Sequence, residues 1–182
     1  RRQPLRVTEA GERLGEAAAK RRGELVDRVD LLDQVMAVTS RADAVRHGWL
    51  HRIVAVVCRD ESGRILLVRR SPRHPRFPGR LEAFVAGAVK AGESYEEAAA
   101  REVLEELGVR VAARRVDRFL NLDSPTPHWM GLYECQVPAT SIVADDREIV
   151  QVSWHSVGAA RTLCAAGVLT PESRPVLCRI TG

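Results

Sequence analysis

Apolar positions along this chain follow two rhythms: short stretches that alternate with a period of two, and one long stretch with a period near 3.6. Alternation over Glu24–Asp30, answered by Val35–Val38 across the Asp33-Gln34 turn, predicts a short hairpin. Arg52–Cys58 and Ile65–Val68 predict the first two core strands, joined through Asp60-Glu61-Ser62-Gly63. Pro72, Pro75, Pro78 and Gly79 then mark an irregular loop, after which Leu81–Val89 reads as one strand. Further strands are expected near Val111–Leu120, Trp129–Val137 and Ile149–Trp154, with closing helices over Val157–Ala166 and Pro171–Ile180. Ahead of all of these, Thr8–Arg22 suits a helix, although it carries few large apolar residues. Strands, one central helix, more strands and terminal helices describe an α/β fold with a mixed sheet between helical layers.

The helical rhythm has both of its ends marked. Ser94 followed by Glu97 forms a capping box, and Gly108 stands where a C′ glycine belongs, so the helix should run from just after Ser94 to near Leu107. Ala98, Val103 and Leu107 supply its inward face, and Glu97 precedes Arg101 by one turn, the favourable order for a helical ion pair. Glu102, Glu105 and Glu106 project together from its second half. Like charges at this spacing repel by a few tenths of a kcal/mol per pair. A solvated acidic face is the simple explanation of such residues on a surface helix. A cluster fixed between two caps is better explained as a positioned set of oxygen ligands, which suits a hard cation such as Mg²⁺.

Extended back to the glycine before it, this stretch resembles a known family. Nudix hydrolases carry the signature G-x5-E-x7-R-E-U-x-E-E-x-G-U, with U a bulky aliphatic residue. Gly87, Glu93, Arg101, Glu102, Val103, Glu105, Glu106, Gly108 and Val109 fill it without insertion. From ordinary residue frequencies, such agreement arises by chance at on the order of 10⁻⁸ per start position. The resemblance implies a Nudix-type α/β/α sandwich over about residues 50–182, preceded by an N-terminal extension (1–49) of helix and hairpin. It also implies hydrolysis of a phosphoanhydride bond in a nucleoside diphosphate linked to another moiety, with Mg²⁺, or Mn²⁺ in its place, as cofactor. Glu102 and Glu106, one turn apart, are the leading ligand pair, with Glu105 a third or water-mediated ligand and the Gly87 carbonyl a ligand by resemblance. By the same resemblance Glu93 and Arg101 tie the loop to the helix. Catalytic roles fall on Glu102, Glu105 and, as a general base outside the signature, Glu148, for which a solvated acidic loop is the competing reading. Guanidinium suits phosphate, so Arg69 and Arg70 are candidates for substrate contact, although solvation suffices for most arginines of that region.

The segment Leu50-His51-Arg52 and the run Arg69-Arg70-Ser71 are similar to the isopentenyl-diphosphate-isomerase-like branch of the family. An isomerase of that branch needs a cysteine before the motif glycine and a histidine after it; Ala86 and Ala88 stand there and can do neither job. A domain that binds a nucleotide metabolite without turnover is a further alternative, and three retained carboxylates favour the enzyme. The five histidines show no HExxH or triad spacing and receive no role.

Composition trims the remaining classes. The 182 residues suit one domain with an extension. Lys+Arg exceed Asp+Glu by only 28 to 24, which fits a small anionic substrate and makes a weak case for nucleic acid. The apolar run Ile53–Cys58 is too short for a bilayer, and no signal peptide is recognisable. Cys58, Cys135, Cys164 and Cys178 lack any C-x-x-C spacing and read as reduced thiols of a cytoplasmic protein. The N-terminal extension could pair protomers into a homodimer.

Overall fold

The alternating strand Arg52–Arg59 (β3) is the axis of the computed structural model, buried over most of its length and hydrogen-bonded on both edges. Residues 23–74, 76–122 and 124–181 are described; the helix expected over Thr8–Arg22 lies outside them. Val54, Val56 and Cys58 point into one core, while Ala55 and Val57 point into the other, as a period of two requires.

The elements in chain order are β1 (Leu25–Val29), β2 (Val35–Ser40), α1 (Arg41–His47), β3, β4 (Ile65–Arg70), β5 (Leu81–Glu82), β6 (Val85–Ala88), α2 (Tyr95–Leu107), β7 (Arg114–Asn121), β8 (His128–Gln136), β9 (Ile149–His155), α3 (Val157–Ala165) and α4 (Ser173–Leu177). Seven strands form one mixed sheet with the path β5-β4-β3-β8-β7, in which β6 also pairs with β3 and β9 with β4. β3 and β8 run parallel through all eight register pairs, and the other pairings are antiparallel. β3 and β4 meet only at Arg59↔Ile65. Beyond that point β3 takes β6 as its antiparallel partner, and β4 takes β5 and β9. The separation of β3 from β4 opens the sheet where the signature loop enters.

Helix α2 covers one face through Ala98, Ala99, Val103 and Leu107. α3 and α4 cover the other through Val157, Ala160, Val176 and Leu177. The hairpin β1–β2 forms a separate two-stranded sheet, anchored where Val26 and Ala44 pack on Ala88. Asp33 fastens it further, accepting hydrogen bonds from Arg52 Nε (2.7 Å), Arg118 Nη1 (2.9 Å) and Tyr95 Oη (3.1 Å).

Several expectations need correction. Leu81–Val89 is not one strand: it breaks at Ala83-Phe84, where Ala83 N–H donates to Ser173 Oγ (3.2 Å) and Phe84 turns into the α3/α4 core. The last helix is confined to Ser173–Leu177 within the expected Pro171–Ile180. Helix α1 went unforeseen; Ser40 caps it and Gly48, in a left-handed conformation, ends it after two turns. The helical ion pair Glu97–Arg101 does not form, because the Glu97 carboxylate is engaged by Ser94 in the capping box while Arg101 turns toward Glu93. All four cysteines are free thiols; Cys58 and Cys135, register partners on β3 and β8, hold their sulfurs 3.7 Å apart. No helix among the described residues is long and apolar enough to cross a membrane.

Candidate active site

The site is assembled from the α2 N-terminal loop, the end of β6 and the loop before β9. Helix α2 starts at Tyr95 with the reciprocal Ser94–Glu97 bonds of a capping box and stops at Gly108, whose φ of 71° is the left-handed conformation of a C-terminal cap. Two turns into the helix, Glu102 points at the backbone of Gly87 on β6. A Cβ at position 87 would overlap the Glu102 carboxyl group, so only glycine permits this approach. Glu102 is buried, and Arg101 Nη1 donates to its Oε1 at 2.5 Å. Burial pushes its carboxyl above the usual carboxylate range; Arg101 works against the rise and Glu105 adds to it.

Arg101 is the organising cation. Its Nε and Nη2 donate to the two oxygens of Glu93 at 2.7 and 2.9 Å, and Nη2 also donates to the Ala88 carbonyl at 2.9 Å. The Glu93 carboxylate meanwhile accepts from the Lys90 backbone N–H at 2.9 Å. Burial alone would raise the Glu93 carboxyl, but the Arg101 bond and the Lys90 N–H hold it below the usual range. Loop 88–93 is thus fastened to α2 by one guanidinium in a fork that a lysine has no atoms to reproduce.

Gly87, Glu102, Glu105 and Glu106 all line one cavity of about 1140 Å³, together with Arg101 and Glu148. Glu105 is half-exposed, its carboxylate 3.8 Å from Arg101 and 3.9 Å from Lys90 Nζ. Glu148 enters from the start of the β9 segment, with Oε2 3.6 Å from His74 Nε2, and its carbonyl accepts from the Ser71 N–H at 2.8 Å. Among the described residues no three carboxylate, imidazole or thiol groups already converge as a metal cage.

The two arginines read as phosphate candidates separate here. Arg70 lines the cavity, with its guanidinium engaged by Glu82, by the His74 ring and by the Arg76 carbonyl. Arg69 is absent from the lining and binds the Gly79 carbonyl and Gln151 instead. Most of the opposite wall was not foreseen. It contains His51, His128, Arg76, Glu82 and Glu172 beside Ile53, Phe84, Ala86 and Met130. Strand periodicity held the only clue: residues 51 and 53, 84 and 86, and 128 and 130 each share a face. Histidine spacing alone carried none of it.

Comparison with known proteins identifies the family. The NUDIX domain family matches residues 49–180. An uncharacterized Nudix hydrolase of Streptomyces coelicolor is 38% identical over 135 residues, covering 72% of each chain. A prenyl-diphosphate phosphatase of Methanosarcina mazei is 32% identical over 161 residues, covering 86% of this chain and 94% of that one. Among solved structures, a protein of Deinococcus radiodurans superposes with a TM-score of 0.76 at 29% identity, over 87% of this chain and 100% of the other. With the capped acidic helix set against its glycine and the sandwich around it matched at these levels, the chain belongs to the Nudix family and is a hydrolase acting on pyrophosphate bonds.

Proposed function

We propose that this enzyme is a Mg²⁺-dependent hydrolase that cleaves the phosphoanhydride of a nucleoside diphosphate linked to another moiety, in the cavity between Glu102 and Glu148. The single observation that carries the reading is the apposition of Gly87 and Glu102, which leaves room for no side chain at position 87 and brings the Glu102 carboxyl against the Gly87 backbone. Such a donor set fits a hard cation. Mg²⁺ takes one or two carboxylates and keeps several waters, so a preformed three-carboxylate cage is not needed. Glu102 and Glu106 would hold it, with Glu105 direct or through water and the Gly87 carbonyl in support. When bound, the ion neutralises diphosphate oxygens and acidifies an attacking water.

The chain's own residues divide the remaining work. Arg101 holds loop 88–93 and the Glu102 carboxylate in one arrangement, so that the acceptor oxygens are in place before substrate arrives. Glu148, beside His74 in the lining of the same cavity, would take a proton from the nucleophilic water. Arg70, tied to Glu82, adds positive charge to a cavity that must accept an anionic diphosphate.

A second reading is favoured by one observation: the Methanosarcina mazei relative is a prenyl-diphosphate phosphatase. On that reading the organic part of the substrate is a hydrocarbon. The deciding experiment supplies Mg²⁺ and screens nucleoside diphosphates, nucleoside diphosphates linked to a second group, and isoprenyl diphosphates, with product identification. Release of a nucleoside monophosphate, lost when Mg²⁺ is chelated, is the expected result. Activity confined to isoprenyl diphosphates would select the second reading, and failure to cleave any diphosphate would remove both.

A further inference from the structure

The wall of the cavity away from α2 carries a buried hydrogen-bond acceptor with no partner. His128 lies at the start of β8 and is 3% exposed. Its Nδ1 is 2.7 Å from the Thr126 carbonyl oxygen, which can only accept, so Nδ1 bears the proton and Nε2 of the neutral ring presents a lone pair. That Nε2 is the one buried side-chain nitrogen or oxygen without a hydrogen-bond partner among the described residues. Orphaned buried acceptors are costly in a folded protein; His128 lines the cavity with its Nε2 closed off from solvent, so a donor from outside the chain reaches it only as a neighbouring wall side chain gives way.

The surroundings keep the ring fixed and uncharged. His51 lies beside it, ring centroids 6.3 Å apart, with its Nδ1 3.2 Å from the Trp49 carbonyl. Burial lowers both imidazoles, His51 to about 4, so both are neutral near pH 7. Arg76 secures the loop before β8, donating to Thr126 Oγ1 at 3.2 Å and to Glu172 Oε1 at 2.5 Å, while Ser124 Oγ donates to the same Glu172 oxygen at 2.9 Å. Ile53, Ala86 and Met130 supply an apolar strip on the same sheet face, the face opposite that on which Gly87 meets Glu102. A diphosphate at the acidic helix would therefore carry its organic group around to a strip ending in an acceptor.

We propose that His128 Nε2 accepts a hydrogen bond from an O–H or N–H on the organic part of the substrate, so that the cavity selects nucleoside-linked diphosphates over isoprenyl ones. This rests on the reading of the cavity as the active site. A hydrocarbon chain seated there leaves the acceptor unpaired and dry, and sites built around such a group reject ligands that lack its partner.

The test compares ADP-ribose with geranyl diphosphate in the wild type, His128→Asn and His128→Gln. Asparagine keeps an N–H near the Thr126 carbonyl and removes the Nε2 acceptor; glutamine returns an amide oxygen near the Nε2 position. Expected for His128→Asn is a drop of about tenfold or more in kcat/KM and in calorimetric affinity for ADP-ribose, against less than about twofold for geranyl diphosphate. His128→Gln recovers most of the loss, which a merely structural role would not give. The proposal is overturned by equal losses on both ligands, by no loss, by a wild-type preference for geranyl diphosphate, or by no measurable binding of ADP-ribose. The hydrolase reading fails separately: ADP-ribose binding that weakens in His128→Asn, in a wild type that cleaves none of the screened diphosphates, would end that reading and leave the recognition standing.

Discussion

Glu102 is a carboxylate that the fold keeps at a disadvantage. It is buried, its ionisation is opposed by that burial, and only the neighbouring Arg101 and a close glycine make the position tenable. Removing its charge without changing its shape should therefore cost function and not stability. Glu102→Gln is expected to melt no lower than the wild type while turnover falls at least about a hundredfold. Glu106→Gln should lose activity to a similar degree with the fold intact. Circular-dichroism melts beside initial-rate measurements check both, and near-wild-type turnover in the two variants would remove the carboxylate assignment. Gly87→Ala tests the same contact from the other side. Its methyl group must displace the Glu102 carboxyl or shift β6, so activity should fall by about a hundredfold or more even though a strand tolerates alanine better than glycine. A fully active Gly87→Ala enzyme would show that the apposition has no part in the reaction.

At the level of elements, legibility followed how local the determining forces were. Helix α2 was readable to the residue because its capping box, left-handed glycine and buried stripe all lie within its own sequence. The break between β5 and β6 was not readable, since it depends on Ser173, ninety positions away, capturing the Ala83 N–H. The same limit hid the second wall of the cavity. His51 and His128 become neighbours only because β3 and β8 pair in parallel with Arg52 opposite Trp129, a register no local pattern specifies. The Glu97–Arg101 pair shows the reverse case, where correct helical spacing lost to a competitor: the cap held one partner and Glu93 the other. From this follows a prediction for the loop–helix joint. Arg101→Lys keeps the charge but loses the simultaneous bonds to both Glu93 oxygens and the Ala88 carbonyl. Turnover should drop about tenfold to a hundredfold with helix content retained. An enzyme whose kcat is unchanged by this substitution does not depend on the fork.

For the molecule as a whole, the arrangement sets ionisable groups around one cavity in a state that folding, not solution chemistry, dictates. Glu82 and Glu102 are pushed up by burial, and His51 and His128 are pushed down by it. These shifts have opposite consequences for stability. A carboxyl raised by folding favours the folded state as pH falls toward its own range. A histidine depressed by folding binds its proton more readily in the unfolded chain, so its contribution is complete above pH 6.5 and is lost as pH falls toward about 4. For His51 the loss between pH 7 and pH 5 is about 2 kcal/mol. Urea unfolding of the wild type alone would mix this with the carboxyl contributions, so the comparison must be made against a variant. His51→Asn keeps an N–H for the Trp49 carbonyl and cannot take up a proton in this range. Whatever its stability at pH 7, the variant should lose about 2 kcal/mol less than the wild type on going to pH 5, because the carboxyl terms are common to both and subtract out. Parallel pH profiles for the two proteins would mean that His51 takes up its proton as readily in the folded state as in the unfolded one, and the dry, neutral character assigned to that wall of the cavity would have to be given up.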